Sequence, residues 1–145
     1  MRFDIQNDSN VIALLSNSAA VAADTQTNYI DTALYESLLI AVIYDAGTAS
    51  AGNSFTPTLQ EATGTPGTIA SYSSVAAADI NGAFSAIEAT GEGVQFVGYT
   101  GDERYINVLL DETGTSSIDF TVVAIVSNGL HNPIDGATIT SGTVT

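Results

Sequence analysis

Cysteine, lysine and tryptophan are all absent from this 145-residue chain, and histidine occurs once. Without cysteine there is no disulfide, no thiol nucleophile and no zinc–thiolate site. Positive charge is almost missing too. Arg2 and Arg104 stand against 16 acidic residues, a formal net charge of −14. Such a field repels phosphate backbones and anionic lipid surfaces, which argues against nucleic acid and membrane as partners. No long hydrophobic run occurs. The longest, residues 38–44, falls far short of the ~20 residues a spanning helix needs. Residues 11–15 and the small residues Ala20 and Ala22 look superficially like a secretory leader. But Asp4 and Asp8 precede them with Arg2 as the only cation, and Ser16, Asn17 and Ser18 break the run, so no cleaved leader is expected.

What is present is apolar residue in short stretches. Hydrophobic residues make up 45% of the chain and charged residues 12%, enough apolar content for one folded domain with a single core. Helical periodicity is scarce, and most of the 13 glycines sit between apolar runs. That pattern predicts short strands joined by turns. Residues 37–45 are apolar on both faces, Leu38, Ile40, Val42 and Tyr44 on one and Leu39, Ala41 and Ile43 on the other. They predict a central strand covered on two sides, ended by the Asp45–Gly47 turn. Residues 53–62 alternate, and Pro57, lacking a backbone donor, places that strand at an edge. A turn is expected at residues 64–67. Residues 75–89 are ambiguous, with one helical turn possible at residues 76–79.

Three further strands are expected, at residues 94–99, 104–110 and 118–126. Thr100 to Glu103 reads as the loop of a hairpin between the first two. In the last, Ile118, Phe120, Val122, Ala124 and Val126 form the core face. The expected fold is all-β: a single-domain antiparallel β-sandwich, jelly-roll or Ig-like, of six to eight strands over residues 1–145. The stretches before about residue 30 and after 128 look less regular, and residues 1–10 and 136–145 are candidate extended arms.

Chemistry-bearing residues do not converge in the sequence. His131 has no nameable partner for general base catalysis and sits in a polar loop. No Gly-x-Ser-x-Gly elbow exists. The acid pairs Asp102–Glu103 and Asp111–Glu112 are compatible with calcium, but no Asp-x-Asp-x-Asp-Gly loop accompanies them, so solvated turns at the two ends of one strand are expected. Gly91 with Gly93, and Gly98 with Gly101, lack the spacing and the lysine of a phosphate loop and read as turn glycines. Arg104 is expected to pair with Asp102, Glu103 or an acid across the sheet, or to touch a partner subunit. No catalytic, metal or cofactor site is expected, and no enzyme activity.

The ordered set of segments nevertheless resembles a known family. YESLLIAVIY at 35–44, FTPTLQE at 55–61, GYTGDERYINV at 98–108 and the valine-rich stretch VVAIVSNGLHNP at 122–133 together resemble the head decoration (capsid cement) proteins of tailed bacteriophages. The resemblance implies a β-sandwich on the outer capsid surface of the virion. It implies the major capsid protein as partner, with a homo-oligomer, a trimer by preference. The terminal arms would add strands to neighbouring subunits. The competing reading is a receptor- or carbohydrate-binding β-sandwich module of a fibre or surface protein.

Overall fold

The computed structural model describes residues 9–16, 20–33, 35–49, 52–64, 71–88, 91–127 and 141–142. His131, most of both candidate arms and most of the turn expected at 64–67 lie outside them. The described chain is an antiparallel β-sandwich. Six strands have seven or more residues: β1 (Ser9–Ser16), β4 (Ser37–Ala49), β5 (Ser54–Ala62), β8 (Gly93–Tyr99), β9 (Tyr105–Thr113) and β10 (Ser116–Ser127). Between them lie the short β2 (Thr25–Gln26), β3 (Tyr29–Asp31), β6 (Ser73–Ser74), β7 (Ile80–Gly82) and β11 (Ser141–Gly142). The single helical turn is a 3-10 turn at Ala77–Asp79, where the alanine run left it possible.

One sheet has the order β1-β10-β4-β8-β7. The other runs β11-β3-β9-β5-β6, with β2 also pairing β9. Alternation decides which side chains meet between them. Ile40 and Val42 of β4 and Ile118, Phe120, Val122, Ala124 and Val126 of β10 face Phe55, Leu59, Ile106, Val108 and Leu110 of the other sheet, all buried. Phe55 and Phe120 close the centre edge to face, ring centroids 5.2 Å apart at 78°, the geometry aromatic quadrupoles favour.

Three expectations are corrected. The segment 100–103 is not a hairpin loop. It carries the chain from β8 in one sheet to β9 in the other, because β8 is already paired on both edges, by β4 and β7, and β9 by β5, β3 and β2. A clasp holds the crossing: Tyr99 Oη donates to Glu61 Oε2 of β5 at 2.9 Å and accepts the Glu103 N–H at 2.9 Å. Next, β4 does not end at Asp45–Gly47. The register slips there, between Ser117 and Asp119 of β10, and the strand continues to Ala49. A side chain on Gly47 would collide with the Ser117 carbonyl oxygen, so glycine is what lets the two backbones close over the bulge. Finally, β4 is central but not covered on both sides, since Ile43 stands exposed on its outer face.

Pro57 is where its chemistry allows. The Phe55 N–H and C=O both bond Ile87, and the Leu59 C=O accepts from Val75 N–H. Odd residues of β5 therefore aim their backbone away from β9, and the donor that Pro57 lacks would point into the gap between these contacts. The region before residue 30 proves regular: Val11 to Leu15 lie in β1, which pairs the full length of β10 around one bulge. Of the candidate arms, Ser9 and Asn10 begin β1, and Ser141 and Gly142 pair with Ile30 and Tyr29 of the same chain.

Candidate functional site

The outer face of the five-stranded sheet is the feature that packing leaves unexplained. Register aligns its outward residues in three rows. Val11, Ile125, Leu39 and Gly98 form one; Ala13, Val123, Ala41 and Phe96 the next; Thr121, Ile43 and Val94 the third. No described element packs on them. Val11 is 61% exposed, Phe96 51%, Val94 47% and Ile43 43%. Isolated apolar residues on a surface are ordinary, but a contiguous apolar patch marks a contact surface.

The face is asymmetric. Its far end opens into a cleft of about 510 Å³ lined by Ile43, Tyr44, Asp45, Glu92, Gly93, Val94, Asp119, Phe120 and Thr121. Asp45 and Asp119 are direct cross-strand neighbours on that outward face, and Asp119 and Glu92 are exposed. The opposite end, where β1 meets β10, carries Ser9, Ser127 and Ser37 in register and no charge.

The residues singled out in the sequence do not assemble into a catalytic set. Asp102 and Glu103 lie at one end of β9 and Asp111 and Glu112 at the other, as expected of two solvated turns. Glu112 Oε1 accepts the Ser116 N–H at 2.8 Å, and its own N–H donates to Asp24 Oδ1 at 2.8 Å, so both acids brace the β9–β10 crossing. No group of three or more His, Cys, Asp or Glu among the described residues could hold a metal ion. Gly93 and Gly98 are strand residues of β8 rather than turn glycines.

Arg104 pairs across the sheet. Its Nε and Nη2 donate to Asp31 Oδ1 and Oδ2 at 2.9 and 2.7 Å, and its guanidinium lies 5.2 Å from the Tyr105 ring centroid. Burial pushes the Asp31 carboxyl up, but the Arg104 hydrogen bonds, the Ala33 N–H and the guanidinium charge outweigh it and hold Asp31 below the usual carboxylate range. A second cleft, of about 380 Å³, lies beside this pair, between Thr32, Tyr35, Glu36, Tyr99, Asp102 and Arg104. Burial, then the Asp31 charge, push the Tyr35 phenol up, and burial, then its bond to Glu61, do the same to Tyr99. Both tyrosines stay protonated donors at neutral pH. Neither offers a nucleophile, and Asp31, held by Arg104, is a poor general base.

The open face escaped the sequence reading although its residues were visible in it. Leu39 and Ile43, Val123 and Ile125, Val94 and Phe96 supply a second apolar parity on three adjacent strands. The missing signal was any segment amphipathic enough to lie over them. Compared with protein-family models, curated protein sequences and solved structures, the chain gives no match.

Proposed function

We propose that this protein is a non-catalytic structural component of a tailed-phage virion, a decoration or cement protein that docks on the major capsid protein at the outer surface of the head. The observation that carries the reading is the flat, open apolar face of the β1-β10-β4-β8-β7 sheet. Such a face suits a broad protein contact and lacks the concavity that encloses a small substrate. Four long strands and three outward rows give it an area of about 400 Å², from ordinary strand spacings. That is roughly half of what one partner contributes to a standard stable interface. A single copy would therefore bind weakly, and a coat of many copies, trimeric by preference, gains its hold through avidity. The net charge of −14 keeps such a surface soluble before assembly.

Quantitative mass spectrometry of purified virions from the source, against the major capsid protein, tests this. The expected result is about one copy per capsid subunit or a simple fraction of that. A handful of copies per particle would move the protein to a receptor- or carbohydrate-binding fibre. Absence from virions would overturn the reading.

A further inference from the structure

We infer that the open sheet face has a defined polarity: it takes a partner surface on which apolar side chains lead into a lysine or arginine, with that cation seated in the cleft between Glu92 and Asp119. The inference rests on the docking reading above and names the chemistry of the partner. Along β4 and β8 the outward residues pass from Leu39 and Phe96 through Ile43 and Val94, and end at Asp45, Asp119 and Glu92. Like charges directly opposite on adjacent strands work against a sheet, and Asp45 faces Asp119 in register. A cation arriving from outside relieves that repulsion. It also brings no carbonyl or amide that must be matched, only a charge beside an apolar wall. The cleft is built to that size. A side chain on Gly93 would come within 2.5 Å of the Tyr44 hydroxyl, so the glycine keeps the space between β8 and Tyr44 open.

A second copy of this chain is the wrong occupant. It has no lysine and only two arginines, and Arg104 is already held by Asp31 at 2.7 Å. Face-to-face stacking would set a charge of −14 against another of −14, with the carboxylates of each copy meeting either carboxylates or serines.

The test uses the full-length, ¹⁵N-labelled chain and three short probe peptides of equal length, built from leucine and arginine, leucine and glutamate, or serine and arginine. The leucine–arginine peptide is expected to shift the amides of Ile43, Val94, Phe96 and Thr121. The other two should bind at least about tenfold more weakly, and added salt should weaken the first. The double variant E92Q/D119N is expected to lose about tenfold in affinity for the leucine–arginine peptide, the worth of two partly exposed ion pairs, with an unchanged spectrum elsewhere. Equal binding of the leucine–glutamate peptide would overturn the inference. So would shifts that map away from this face, or saturation of the Glu92 and Asp119 shifts by calcium alone. Because no capsid enters the experiment, its failure is separate from absence of the protein from virions.

Discussion

The two outer faces of the sandwich reverse the usual order of inside and outside. On the five-stranded sheet Val11, Val94 and Phe96 stand in water. On the six-stranded sheet Tyr29, Tyr105, Ala62 and Asn107 are buried, with Tyr72 packed over the tyrosine pair. Tyr29 and Tyr105 meet edge to face at 5.4 Å and 82°. Both amide atoms of Asn107 and the hydroxyls of Tyr105 and Tyr72 have no hydrogen-bond partner, and burial, followed by the two neighbouring tyrosines, pushes the Tyr72 phenol up to about 12. Stability alone would favour the opposite placement, because a buried amide without a partner costs more than an exposed valine. The closed face is therefore held by aromatic packing despite its polar atoms. The open face is not explained by folding and belongs to binding.

The sharpest way to break this contrast is to truncate one aromatic on each face. Tyr105→Ala removes a wholly buried ring and is expected to cost about 3–4 kcal/mol. Phe96→Ala, at a half-exposed site, should stay within about 1 kcal/mol. Urea unfolding of both variants measures the difference. Similar losses would mean that the open face is covered in the free protein and that the contrast is false.

A subtler probe asks whether the closed face tolerates its polar atoms or uses them. Asn107→Leu keeps the side-chain size and discards two unpartnered polar atoms, so it is expected to stabilise the fold by about 1–2 kcal/mol. A loss of that size instead would show that a trapped water or a bound group satisfies the amide in solution.

How much of this could be read beforehand depends on what alternation encodes. Period two is a local signal, so the core face of β10 from Ile118 to Val126 was legible residue by residue, as were the strand at β5 and its edge proline. Sheet membership is not local. Thr100 to Glu103 is short enough for a hairpin and long enough to cross a ~10 Å layer, and only the saturation of both edges of β8 decides between them. Alternation also separates two faces without saying which is open, which is why Leu39 and Ile43 read as covered. β2, β3, β6, β7 and β11 have two or three residues each, too few to show any period. In β1, Val11 to Leu15 resembled part of a leader because an edge strand without charges carries the same composition. Of the candidate site, the apolar residues and the acids were all visible, but their alignment into rows ending at Asp119 required the register.

The smallest expected effect lies on the rim of the closed face, where Arg104 ties β9 to Asp31 of β3. Asp31 titrates below its unfolded value of about 3.9 because the hydrogen bonds and charge of its partners outweigh its burial. The unfolded chain then binds the proton more tightly, so stability from this pair is present above about pH 4 and is lost as the pH falls through the lower folded value. Arg104 is largely exposed, which keeps the contribution small. Asp31→Asn preserves the shape and removes the charge. The variant should be slightly less stable than the native chain at pH 7, with the gap closing below about pH 3 as the native carboxyl takes up its own proton. Comparing the two chains cancels the titration of the other acids. A gap unchanged down to pH 2 would assign the loss to altered packing at β3 and not to the ion pair. The closed face would then owe its rim, like its centre, to the stacking of Tyr29, Tyr105 and Tyr72.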